Sequence, residues 1–262
     1  MRTAAEHPYF DAPPLALAHR GGAGYAPNRD IENTLAAFRT AVELGYRYLE
    51  TDVHATRDGH LVAFHDDRLD RVTDGHGRVA DLPWSSVRAA LVGGAQPIPE
   101  LGELFAAFPE TRVNIDIKAA GAVVPLWQVI REHEAQDRVC VGSFSDRRLT
   151  AFRRLAGPRV ATAAGQVGTA ALRFAPGRVS AVLHSPAQVL QVPVTHTIPG
   201  RTIRLVTPGL VQRAHRSGKQ VHVWTIDDPA EMEQLLDLGV DGIISDRIDT
   251  LRAVLTARGQ WR

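Results

Sequence analysis

Along this chain, short apolar runs rich in β-branched residues alternate with longer stretches whose apolar positions recur at helical spacing. That alternation predicts a parallel sheet wrapped by helices. Eight runs read as strands: Leu15–His19, Arg47–Val53, Arg112–Lys118, Arg138–Ser143, Arg159–Thr162, Val179–His184, Gln220–Thr225 and Gly239–Ser245. Among the intervening helices, Thr34–Leu44 starts at an Asn-Thr cap and stops at Gly45. Pro229–Leu238 carries proline in its first turn and stops at Gly239. Eight such units in 262 residues fit a single α/β domain over residues 1–262, a (β/α)8 TIM barrel with its core over about 15–257.

One stretch breaks the alternation. His60–His65 follows the second strand after a link centred on Asp58-Gly59, too short for a helix. Asp-Gly between two extended runs predicts a β-hairpin over about 47–65 with a type I′ turn. A two-residue turn flanked by Arg57 and His60 then places Asp52 opposite His65. Residues 66–100, rich in Asp, Arg, Gly and Pro, show helical spacing only near Trp84–Leu91 and read as an excursion on the barrel rim.

Strand alternation also sorts the polar residues. Glu50 and Asp52 share one face, as do Asn114, Asp116 and Lys118, while Val113, Ile115 and Ile117 form the face that helices cover. Polar groups inside a barrel are costly unless paired, solvated or metal-bound, and barrel enzymes place working groups at strand C-terminal ends. Three inward acids on two strands therefore require a cation, and all-oxygen donors favour Mg²⁺, Ca²⁺ or Mn²⁺ over zinc. His19 ends the first strand and runs into Arg20-Gly21-Gly22, a flexible turn with a guanidinium fork suited to phosphate oxygens. His54 reads as a rim histidine in water rather than a further ligand, and Arg147-Arg148 and Arg153-Arg154 as solvated helix faces.

Composition narrows the class. A net charge of +1 argues against a nucleic-acid partner bound through a broad basic face. The single cysteine, Cys140, excludes an internal disulfide and Cys-rich zinc sites, and reads as a buried strand residue. No apolar leader or span is visible, so the expectation is a cytoplasmic protein without stable membrane insertion. Oligomeric state stays open, because no sustained heptad or dimer motif appears.

Five motifs run in order along the chain: His19-Arg20-Gly21, Glu32-Asn33-Thr34, Glu50-Thr51-Asp52, His65-Asp66 and Asp116-Ile117-Lys118. Further stretches are Thr73–Val79, Ile98-Pro99, Gln191–Pro193, Val223–Ile226 and Val240–Asp246. In these the chain resembles the glycerophosphodiester phosphodiesterase family across nearly its whole length. The resemblance implies metal-dependent hydrolysis of a small glycerophosphodiester substrate to an alcohol and glycerol 3-phosphate. It implies His19 and His65 as the acid/base pair, Glu50, Asp52 and Asp116 as ligands of one divalent cation, and Arg20 and Lys118 at the phosphate. Trp224 would line the lumen near the glycerol or leaving group. Glu32 joins this substrate set as a contact, an outer support or a helix support. The chain departs from the family pattern at Ile31, where proline is usual, and at Asp116, where glutamate is common. The attacking group is water or a neighbouring substrate hydroxyl. Alternative readings are a lysophospholipase D-like or cyclic-phosphate-forming enzyme, and a non-catalytic phospho-polyol-binding barrel.

Overall fold

The computed structural model describes residues 2–174, 185–198 and 200–262. Its strands are β1 (Leu15–His19), β2 (Tyr48–Ala55), β3 (Leu61–Ala63), β4 (Leu91–Val92), β5 (Gln96–Pro97), β6 (Arg112–Ile117), β7 (Val139–Gly142), β8 (Ala161–Thr162), β9 (Val189–Val192), β10 (Thr195–Ile198), β11 (Arg201–Arg204), β12 (Gln220–Val223) and β13 (Gly242–Ser245). Eight of them run in the order β8-β7-β6-β2-β1-β13-β12-β9 with every neighbour parallel. A parallel bridge between Ala163 and Val189 joins the two ends, so the sheet closes into the expected TIM barrel.

The predicted strand Val179–His184 lies outside the described residues, and the sixth barrel position belongs to β9. Gln191 hides β9 from a search for apolar runs. Its side chain donates to Asn114 Oδ1 at 2.7 Å, so a polar residue interrupts the run for a structural reason. Helix boundaries follow their caps: Thr34 accepts from the Ala37 N–H to start Leu35–Glu43, and Asp228 accepts from the Glu231 N–H to start Pro229–Asp237.

Alternation along the strands builds two cores. Leu49, Val53, Val113, Ile115, Ile117, Val139 and Val141 point outward into the layer shared with the helices. Leu15, Leu17, Tyr48, Cys140, Ala161, Ala163, Val189 and Ile244 point inward, and Ala4, Tyr9 and Phe10 join them, so the N-terminal segment plugs the barrel floor. Tyr48 fixes that plug by donating to the Tyr9 carbonyl at 2.7 Å and accepting from the Asp11 N–H at 2.9 Å. The packed core thus begins before residue 15. Cys140 is fully buried in the lumen, and burial pushes its thiol far up, which leaves it inert.

The hairpin forms, but one residue out of the predicted register. Thr56 donates its N–H to the His60 carbonyl, and Arg57-Asp58-Gly59 make a three-residue loop with Gly59 at φ +93°. Val53 pairs with Ala63 and Ala55 with Leu61, so the Phe64 N–H meets the Asp52 carbonyl at 2.9 Å and Phe64, not His65, lies opposite Asp52. The Thr56 side chain, which donates to Asp58 and accepts from the His60 N–H, stabilises the longer loop. Beyond the hairpin, Val62, Phe64, Leu69, Val79, Val87, Ala90, Val92 and Ile98 form a third apolar cluster, so the rim excursion has a small core of its own.

Candidate active site

His19 ends β1 with its Cα level with Glu50 on β2. Its Nδ1 lies 2.8 Å from Asp246 Oδ1, and its Nε2 lies 3.8 Å from Glu50 Oε2. Burial works against a charged ring, yet Glu50 and Asp246 together raise the His19 pKa above its ordinary value. The turn that follows is left-handed at three successive residues, Arg20, Gly21 and Gly22. Cβ atoms on Gly21 and Gly22 would come within 2.8 Å of Ala37 and 2.6 Å of Ile248, so both sites need glycine for conformation and for space. This tight turn brings the Arg20 N–H to 3.2 Å from Glu50 Oε2.

The acids stand where strand alternation put them. Glu50 and Asp52 are buried, and Asp52 is in register with Asp116 across β2 and β6. Lys118 Nζ bridges Asp52 Oδ1 at 2.8 Å and Asp116 Oδ2 at 2.7 Å. Burial opposes the charge of Lys118, but Asp52 and Asp116 hold its pKa above the usual range. On the other side, Arg20 Nε stands 3.4 Å from Asp52 Oδ2 without the alignment of a hydrogen bond. Asn33, left-handed at φ +58°, donates Nδ2 to Asp52 Oδ2 at 3.2 Å and accepts from Thr51.

The charges here do not balance. Burial, then the Asp52 carboxylate, push Glu50 well above the ordinary carboxylate range. Asp52 itself is held low, because Lys118 and Arg20 outweigh the burial that opposes them. Among the described residues no three histidine, cysteine, aspartate or glutamate side chains form a ready-made metal-binding group, and Lys118 sits between Asp52 and Asp116. The donor set nevertheless fits a hard divalent cation: all its donors are carboxylate oxygens, and a bound cation would favour the ionised form of Glu50 that burial and the Asp52 charge oppose.

His65 reaches the site from the excursion side. Its Nδ1 lies 2.6 Å from Asp66 Oδ1. His54, expected in water at the rim, is instead buried, with Nε2 3.1 Å from the His65 carbonyl oxygen, and burial lowers its pKa. β2 runs on through Ala55, which carries His54 inside. Glu32 accepts from Arg20 Nη1 at 3.2 Å and from both terminal nitrogens of Arg71, at 2.6 and 3.2 Å. Arg71 also donates Nε and Nη2 to Asp66, at 2.5 and 3.1 Å.

Trp224 follows β12 and packs on the lumen cluster, with Phe144 edge-on at 5.6 Å between ring centres. Two of the arginines expected in solvent serve the strand ends instead. Arg148 donates to the Lys118 carbonyl, and Arg153 donates to Thr162 Oγ1 and the Ala163 carbonyl.

A model of the family described as "Glycerophosphoryl diester phosphodiesterase family" matches residues 19–250. The chain belongs to the glycerophosphoryl diester phosphodiesterase family. It is 43% identical to a Mycobacterium tuberculosis protein named probable glycerophosphodiester phosphodiesterase 2, over 94% of this chain and 92% of that one. It is 32% identical to a glycerophosphodiester phosphodiesterase of Caldanaerobacter subterraneus, over 90% and 96%. The barrel superposes at a TM-score of 0.78 on an Oleispira antarctica phosphodiesterase solved with its product sn-glycerol-3-phosphate, at 23% identity, covering 97% of this chain and all of that one. This phosphodiesterase is thus an enzyme on the fold expected from its sequence, and no helix among its described residues is long and apolar enough to cross a membrane.

Proposed function

We propose that this chain hydrolyses glycerophosphodiesters to an alcohol and glycerol 3-phosphate, with His19 and His65 moving the protons and Glu50, Asp52 and Asp116 holding one divalent cation. The observation that carries the reading is the matched bracing of the two histidines. Each Nδ1 faces a carboxylate oxygen, Asp246 for His19 and Asp66 for His65. An ionised carboxylate can only accept, so each Nδ1 keeps its hydrogen and each Nε2 is left to take or give a proton. One ring takes the proton of the attacking hydroxyl, and the other returns one to the departing alkoxide.

The phosphate has a place between them. Arg20 Nε is a buried N–H without a hydrogen-bond acceptor, a deficit that a phosphate oxygen would fill. Lys118 supplies a second cation on the β6 side. When bound, a divalent cation would offset charge on the non-bridging oxygens, typically a large share of catalysis. Trp224 and Phe144 make an aromatic wall beside which the alcohol portion would lie.

The test is release of glycerol 3-phosphate from a panel of glycerophosphodiesters, first with chelator and then with Mg²⁺, Ca²⁺ or Mn²⁺ restored. Release that returns with an added ion is the expected result. Folded protein that releases nothing with any ion would overturn the reading.

A further inference from the structure

We propose that Arg71 is a positioning residue for this cleavage: delivered by the rim excursion, it holds Asp66 against His65 and Glu32 against Arg20, tying the proton-transfer group to the phosphate-binding group. The inference rests on the phosphodiesterase reading above and adds a residue to its machinery.

Donor arithmetic supports positioning over substrate contact. A guanidinium has five N–H groups, and four Arg71 hydrogen bonds go to Asp66 and Glu32. Little remains to fork onto a phosphate. Both carboxylates it holds pass the constraint onward: Asp66 Oδ1 lies 2.6 Å from His65 Nδ1, and Glu32 Oε1 accepts from Arg20 Nη1 at 3.2 Å. Asp66 is held at about 2, because Arg71 and then His65 outweigh the burial that opposes ionisation, so it stays a pure acceptor at working pH. Removing Arg71 would leave Asp66 held by His65 alone and Glu32 by Arg20 alone, each pair then able to shift without the brace that ties them together.

The excursion anchors the turn that carries this side chain. Arg71 ends the short helical turn Leu69–Arg71, whose Leu69 is sunk in the excursion core. The Leu69 N–H donates to the Gly77 carbonyl, Thr73 Oγ1 donates to the Leu69 carbonyl, and the Gly77 N–H donates to Asp70. Lysine could not substitute, since a single ammonium lacks the planar fork that spans two carboxylates.

Steady-state kinetics on glycerophosphocholine, or on the diester that the wild-type enzyme cleaves fastest, would test this with Arg71→Ala, Arg71→Lys, Asp66→Asn and the Arg71→Ala/Asp66→Asn pair. In Arg71→Ala, kcat should fall roughly ten- to a hundredfold with KM within about threefold, the pattern of lost orientation. Free guanidinium should restore part of that loss in Arg71→Ala but none in His65→Ala. Arg71→Lys should not recover wild-type kcat, and it keeps the test alive if Arg71→Ala fails to fold. The paired variant should lose little more than the worse single one. Unchanged kcat, a rise in KM alone, or losses that multiply in the pair would each overturn the assignment. An inactive wild type would instead remove the phosphodiesterase reading, and this inference with it.

Discussion

His19 and His65 offer the same ring to the same site from two different supports. His19 sits at the end of a barrel strand, its side chain 15% exposed, braced by Asp246 at the end of the adjacent strand β13. His65 sits on a loop just past the three-residue strand β3, its side chain 31% exposed, braced by its neighbour Asp66 and through it by an excursion with a separate core. The first support is the closed barrel, where moving one strand disturbs all the others. The second can loosen locally while the barrel stays shut, as expected of the less stable parts of a fold. One histidine is therefore fixed by architecture and the other by a small attached structure.

The largest expected effect leaves the two supports equal. His19→Ala and His65→Ala should each lower kcat by roughly 10²–10⁴-fold with circular dichroism unchanged. Near wild-type turnover in either would take that ring out of proton transfer and dissolve the comparison. Replacing the braces should then separate them. Asp246→Asn should cost roughly 10²-fold in kcat, because an amide can present its N–H to Nδ1 and invert the tautomer of a nearly buried ring. Asp66→Asn should cost less, since its half-exposed ring and the Glu32–Arg71 contact leave other arrangements open. Equal losses would show that the two supports are equally stiff.

A core substitution tests the supports themselves. Leu69→Ala removes a fully buried side chain from the excursion cluster, a change that typically costs 2–5 kcal/mol where it falls. Hydrogen exchange should accelerate in the excursion while the barrel strands keep their protection, and kcat should fall severalfold. Leu17→Ala, in the lumen core, should lower protection throughout. Uniform loss of protection in Leu69→Ala would mean that excursion and barrel open together.

The same division decides what was legible in the sequence. Glu50, Asp52, Asp116 and Lys118 were readable because strand alternation is local, and Glu50-Thr51-Asp52 carries it within three residues. Asp246 stands in a motif of its own, but its contact with His19 depends on β1 and β13 lying side by side, a consequence of closure that no local pattern states. Asn33 reads as a helix cap; its left-handed backbone instead turns the side chain onto Asp52, and Thr34 makes the cap. Around His65 the reading failed by one residue. Asp58-Gly59 marked the turn correctly, while the Thr56 hydroxyl that lengthens it acts through a side-chain geometry invisible to spacing. Glu32 was ambiguous for a related reason, since its partner Arg71 arrives from an excursion without periodicity.

A histidine with no part in the chemistry gives the smallest effect and probes how dry the barrel support is. His222 faces the lumen from β12, fully buried, with Nε2 2.9 Å from Gln220 Oε1 and the Phe10 ring at 5.9 Å. Burial lowers its pKa from 6.5 to about 3. The unfolded chain therefore binds a proton below about pH 6.5 that the folded protein refuses until about pH 3, so this group removes stability as pH falls through that window. The slope is about 1.4 kcal/mol per pH unit once well below the unfolded pKa. His222→Gln lacks this proton uptake, so whatever Tm it loses near pH 7 should shrink relative to wild type as the pH is lowered toward 4. A Tm difference that stays constant with pH would mean that His222 titrates normally and that water reaches the barrel interior beneath the site.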